Sequence, residues 1–191
     1  MRLCTGLDIQ RTRAERMATT VLGGGCFWCI EAALKGLRGV QDLRPGYAGG
    51  HVEHPTYREV CGKRTGHAEV VEVTYDDGII DLATLWRVFF TAHDPTQVDR
   101  QGNDVGPQYR SIVFVDGEEE AAQLHDVMAE VEGWYGSALA TQVEAKNEHP
   151  FWPAEIEHHD YFALNPGNPY CAMVVAPKVA KVRQKHAALY G

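Results

Sequence analysis

Gly23-Gly24-Gly25 joins a short apolar run to the segment Cys26-Phe27-Trp28-Cys29, whose continuation has helical spacing. A chain that passes through glycines from strand to helix must set its next side chain at the helix head, and that side chain is the thiol of Cys26. The first N–H groups of a helix lack partners within it, and the helix dipole is positive at that end, so an anion is favoured there. Cys26 is therefore predicted to have a depressed pKa and to be a nucleophile at neutral pH. Phe27 and Trp28 either form an apolar wall beside it or pack as ordinary core residues of the first turn.

The rest of the chain alternates strands and helices. Residues 19–22 read as a strand and 27–37 as a helix closed by Gly36 and Gly39, where glycine takes the left-handed cap. Residues 40–47 form a second strand, and 46–66 a polar loop long enough to suggest function. Glu69 to Tyr75 alternates as a strand and ends at the turn signal Asp76-Asp77-Gly78. Asp81 caps a helix whose apolar face is Leu82, Leu85, Trp86, Phe89 and Phe90. Then come a strand over 111–115, a helix over 117–132 opening on three glutamates, and a strand over 140–146. The tail is predicted as a helix over 153–164, a turn over 165–169, an apolar run over 170–175, and a basic helix after Pro177. These elements imply an α+β fold: a single domain in which helices cover one mixed sheet, with long functional loops.

With 191 residues, 45% of them hydrophobic, the chain is long enough for one substantial core. Its net charge of −8 speaks against a nucleic-acid partner. No apolar run approaches the roughly 20 residues needed to span a bilayer, and no secretory signal is present. Residues 1–18, with Arg2, Arg11, Arg13 and Arg16, read as a flexible leader ahead of a catalytic domain over 19–191; Asp8 and Glu15 argue against a transit peptide, and Met17 is a candidate start. Cysteines at 4, 26, 29, 61 and 171 are odd in number and irregular in spacing, unlike a secreted disulfide framework, which points to a cytoplasmic protein.

Polar motifs cluster in the loops. Tyr57 and Cys61 lie in Pro55-Thr56-Tyr57-Arg58-Glu59-Val60-Cys61; Glu69 opens a strand in Thr65-Gly66-His67-Ala68-Glu69; Asp104 and Tyr109 hang on the glycine-rich stretch from Gln101 to Ser111. Taken singly, each has an ordinary structural use: packing for the tyrosines, a solvated charge for Glu69, a turn for Asp104. Together with Gly25-Cys26-Phe27-Trp28, Gly46-Tyr47-Ala48-Gly49-Gly50, Asn165-Pro166 and Pro169-Tyr170-Cys171, they resemble the peptide methionine sulfoxide reductase A family. The blocks fall in the family's order over residues 19–186.

The resemblance implies a two-layer, ferredoxin-like core and a cofactor-free reductase of methionine S-sulfoxide, acting on proteins and on the free amino acid as a monomer. It implies Cys26 as nucleophile, Glu69 as general acid, Tyr57 and Tyr109 as hydrogen-bond donors to the oxygen, Asp104 as polar support, and Phe27 and Trp28 as the walls around the S-methyl group. Such chemistry needs a thiolate to attack sulfur and an acid to protonate the departing oxygen. Glu69 serves at neutral pH only if an apolar site raises its pKa. The sulfenic acid left on Cys26 must condense with a second thiol, and the disulfide is reduced by external thioredoxin. Cys171, in a mobile-looking segment, matches the family's recycling cysteine and is preferred; Cys29, one helical turn away, is second, and Cys61 third. Many relatives carry Gly at position 29.

Two other readings use the same residues. Cys26 and Cys29 suit a thioredoxin-like disulfide oxidoreductase, which would need neither Glu69 nor the tyrosines. Cys26, Cys29, Cys61 and His67 supply donors for a structural zinc module, though only one Cys-x-x-Cys pair is present. His67 is also placed to orient the loop beside Glu69, and His158 to pack beneath the site.

Overall fold

Alternation along Ala68–Asp76 (β3) sends Val71, Val73 and Tyr75 to one face of the sheet and Ala68 and Val70 to the other, and all are buried. Glu69 shares the first face, so its carboxyl is carried in under the helices by the same pleat that buries the valines. The structure, a computed structural model, describes residues 16–191. In it β3 lies between Met17–Gly24 (β1) and Val40–Ala48 (β2), antiparallel to both. Met17 and Ala18, assigned by sequence to the leader, pair with Asp76 and Tyr75 and belong to β1. Residues 1–15 fall outside the described region.

Phe27–Leu34 (α1) connects β1 to the parallel β2, and Leu82–Ala92 (α3) connects β3 to Ser111–Val115 (β6), which pairs on the far side of β1. The four central strands thus run β6-β1-β3-β2, two interleaved split β-α-β units. Gln142–Ala145 (β7) adds in parallel beside β6, and the two-residue Trp152–Pro153 (β8) beside β2. Arg100–Gln101 (β4) and Asp104–Val105 (β5) make a separate small hairpin.

On the helical side Phe27, Leu34, Trp86, Phe89 and Phe90 are fully buried against the sheet, with Ala176–Lys185 (α6) packed on α1 and α3. On the other face Val21, Ala48, Ala68, Val70, Ile112 and Phe114 form a smaller apolar cluster. The α+β architecture with a helix-covered mixed sheet follows the sequence expectation.

Local departures have physical causes. α1 stops at Leu34, short of the expected 37, because Lys35 turns extended and Gly36 takes φ +86°. The 46–66 loop contains a short helix, Tyr57–Cys61 (α2), started by a capping box in which Thr56 and Glu59 bond each other's backbone. Gly117–Tyr135 (α4) runs past 132 to the left-handed Gly136. The helix expected over 153–164 is absent: a 3-10 turn at Ile156–His158 is followed by Asp160 at φ 52°, and only Tyr161–Leu164 (α5) is α-helical.

The apolar run 170–175 is helical instead. Asn168 Oδ1 accepts from the N–H groups of Tyr170 and Cys171, with Pro169 at the start, and the helix continues through a π turn at Cys171–Val175 into α6. Pro177, which has no N–H to donate, sits just beyond the widened turn.

Candidate active site

The approach to α1 is a turn that requires glycine. Gly25 has φ +92°, and a Cβ there would lie 2.7 Å from the Gln101 side chain. Gln101 is itself held by a two-way amide contact with the backbone of Asp94. This fixes Cys26 as the residue that begins the helix, where its side chain makes no capping hydrogen bond.

The helix head is occupied by another group. Glu69 Oε2 accepts from the Phe27 N–H at 3.1 Å, because antiparallel pairing brings the start of β3 beside the end of β1. Glu69 is 1% exposed, and its Oε1 has no hydrogen-bond partner. Burial pushes this carboxyl up to about 8, against the lowering effect of the Phe27 N–H. It is therefore mostly protonated at neutral pH, which meets the condition set for a general acid.

The expectation of a low Cys26 pKa is overturned. Cys26 is 6% exposed, and burial, its hydrogen bond to Cys29 and the Glu69 charge push the thiol well above its ordinary value. The helix terminus cannot offset this, since its first N–H is committed to Glu69. The lower pKa belongs to Cys29, drawn down to about 7 by the bond from Cys26 and by the Lys178 ammonium, against burial. The two sulfurs share one readily lost proton, with the negative charge favoured on Cys29.

Around this pair, Tyr57 on α2 and Tyr109, at the end of the 3-10 turn Pro107–Tyr109, both turn toward Glu69; burial and the carboxylate charge raise both phenols. The Tyr57 hydroxyl is hydrogen-bonded to Cys61, which ends α2. Arg110 anchors the Tyr109 turn by donating to Pro107 O, Gly66 O and Gln142 Oε1. Asp104 in β5 accepts a 2.6 Å bond from the Tyr170 hydroxyl, and its charge reaches Glu69 and Cys29. His67 braces the loop as expected: Nδ1 accepts from Gly50 N, and Nε2 lies 2.7 Å from Val52 O.

Phe27 is fully buried, a floor rather than a wall. Its ring packs among Tyr47, Tyr57 and His158. Trp28 is half-buried; its Nε1 donates to His158 Nδ1, and its indole stacks on Tyr161 with centroids 3.8 Å apart at 7°. Glu31, a buried carboxyl raised to about 7 by desolvation, accepts from the Asp160 N–H and so holds the turn that presents Tyr161. Cys171 lies fully buried in the π turn, not in a mobile segment; its thiol is raised by burial and feels the charge of Cys29.

Sequence reasoning did not select Glu155, Tyr161, Tyr170 or Lys178 as site residues. Glu155 holds Tyr47 and Tyr57 together, accepting from the hydroxyl of one and the N–H of the other. Among the described residues no group of three or more His, Cys, Asp or Glu could hold a metal ion, so Cys26, Cys29, Cys61 and His67 do not assemble as zinc donors.

Residues 18–189 match the family model described as peptide methionine sulfoxide reductase. The chain belongs to the peptide methionine sulfoxide reductase family. A protein of Thermus thermophilus named peptide methionine sulfoxide reductase MsrA is 51% identical over 175 residues, covering 92% of this chain and 97% of that one. Among solved structures, Mxr1 from Saccharomyces cerevisiae in reduced form is similar with a TM-score of 0.76 and 31% identity, over 84% of this chain and 92% of that chain. Mxr1 in complex with Trx2 is similar at 0.54 and 25%, over 81% and 91%. This reductase family member reduces methionine sulfoxide to methionine, and the thioredoxin-like and zinc-module readings are set aside.

Proposed function

We propose that in this reductase Cys26 attacks the sulfur of methionine S-sulfoxide, in proteins and as the free amino acid, while Glu69 protonates the oxygen. The observation that carries the assignment is the Glu69 carboxyl: one oxygen fixed by the Phe27 N–H, the other unpartnered, the group buried and protonated at neutral pH. A sulfoxide oxygen departs only with a proton, and Glu69 Oε1 is the buried position from which one is delivered. Tyr57 and Tyr109 donate to the same oxygen, Asp104 supports the polar side through Tyr170, and Trp28 with Tyr161 encloses the S-methyl group above Phe27.

The proton on Cys26 passes to the hydrogen-bonded Cys29 sulfur, freeing the Cys26 thiolate to attack. The sulfoxide S–O bond breaks, an S–O bond forms on Cys26, and methionine leaves. The substrate sulfur has gained the two electrons that Cys26 lost, and Cys26 is a sulfenic acid. Cys29 then attacks the Cys26 sulfur, its proton joins the departing oxygen, and water leaves a Cys26–Cys29 disulfide. Cys29 replaces Cys171 as the proposed first partner because it is hydrogen-bonded to Cys26, whereas Cys171 neighbours Cys29 and would enter by exchange with it.

The structure of Mxr1 with Trx2 supports a thioredoxin as external dithiol. The four described cysteines are free thiols, which suits a reducing cytoplasm. No helix among the described residues is long and apolar enough to cross a membrane.

The pH dependence of kcat/KM with a methionine S-sulfoxide peptide tests the assignment. Glu69 is active as the acid, so the rate should fall as pH rises through about 8; the Cys26–Cys29 pair must first lose a proton, so it should rise through about 7. A rate that stays level from about pH 7 to about pH 10 would rule out Glu69 as the donor.

A further inference from the structure

Cys29 is nearly sealed, yet a cation reaches it. Lys178, near the start of α6, places Nζ 3.7 Å from Cys29 Sγ, across the interface between α6 and α1. Lys178 is half-buried and lines a cleft of about 450 Å³ with Asp104, Tyr170 and Met173. The groups facing Cys29 are Cys26 from its own turn, Tyr170, Cys171 and Lys178 from the C-terminal helix, Asp104 from β5, and Glu69 from β3. Lys178 alone among them is a cation. The Tyr170 hydroxyl, the other donor in reach, is drawn toward Asp104.

We infer that Lys178 is the activating residue of the second half of the cycle: its ammonium holds Cys29 as the thiolate that accepts the Cys26 proton and then closes the disulfide. An opposite charge within about 4 to 6 Å favours the ionised form of a thiol by about one pH unit or more. The π turn at Cys171–Val175 has a part in this, because the helix it feeds carries Lys178 over Cys29. The inference rests on the reading of Cys29 as resolving thiol, and the test separates the two.

The ultraviolet absorbance of thiolate is followed against pH in the reduced full-length protein, with Cys29→Ser identifying the signal of that sulfur. The native protein should show one thiolate appearing near pH 7, absent in Cys29→Ser. Lys178→Met should move that midpoint up by about one unit or more, and Lys178→Arg, which restores the cation, should return it. An unchanged midpoint in Lys178→Met overturns the inference. In a Cys171→Ser background, where Cys171 cannot intervene, Lys178→Met should slow disulfide formation about twofold at pH 7 for a one-unit shift and more for a larger one, and should overtake the parent at alkaline pH, where both thiols are ionised and the more basic thiolate is the better nucleophile. Failure of that background to form any Cys26–Cys29 bond would sink the resolving role of Cys29, whatever the titration shows.

Discussion

Replacing Glu69 by Gln is expected to slow methionine formation in a single turnover by about two to four orders of magnitude, the usual worth of a positioned general acid. The substitution is close to isosteric, and the amide oxygen can still accept from the Phe27 N–H, so the helix head and Cys26 keep their places. What is lost is the acidic proton. The electrostatic side effect does not oppose this reading, because Glu69 raises the Cys26 thiol only where it is ionised, and a neutral Gln leaves Cys26 no harder to ionise at any pH. A slow variant therefore cannot be put down to a weaker nucleophile. Rapid-quench measurement of methionine released without reductant reads the effect directly; a loss smaller than about tenfold would take Glu69 out of the acid role.

Cys29→Ser is expected to end thioredoxin-driven catalysis after one turnover, itself slowed because serine cannot take the Cys26 proton as the Cys29 thiolate does. Serine cannot close a disulfide, and Cys171 is held in a helical turn at full burial, beside Cys29. Cys171→Ser, by contrast, should still yield the Cys26–Cys29 bond when oxidised by one equivalent of substrate, as peptide mapping would show. The reverse pattern, with Cys171→Ser stalled after one turnover and Cys29→Ser cycling freely, would make Cys171 the direct partner. The two variants separate the sequence-based choice of recycling thiol from the structural one.

Much of the fold could be read from the chain because its signals are local. The alternation of residues 69–75, the Asp81 cap and the compact strand at 111–115 each rest on neighbours within a few positions, and the structure has them at nearly the expected bounds. Two readable signals went unused: Thr56-x-x-Glu59, which starts α2, and Asn168-Pro169, which opens the C-terminal helix. The segment 153–164 misled in the other direction, since its apolar residues suggested a helical face, yet Ile156 and Leu164 are exposed and Asp160 breaks the backbone path.

The site divides in the same way. The identities of Cys26, Glu69, Tyr57, Tyr109 and Asp104 were carried by motifs, and the structure gathers them around one helix end. Their electrostatics were not legible. The low pKa expected of Cys26 assumed that its helix terminus was free, but the pairing of β1 with β3 delivers Glu69 to that donor from far along the chain. Lys178 escaped notice for a related reason: it reaches α1 from the C-terminal part of the chain, and nothing in its local spacing marks it.

The central claim is that the substrate oxygen is transferred to Cys26. The most direct test uses the Cys29→Ser, Cys171→Ser double variant, in which neither nearby thiol can remove a sulfenic acid, treated with one equivalent of a methionine S-sulfoxide peptide and no reductant. Mass mapping with a sulfenic-acid trap should find one methionine produced per protein and one trap adduct, marking the sulfur that took the oxygen, on the peptide containing Cys26. Methionine formed with Cys26 unmodified, or the oxygen found on Cys61, would contradict it.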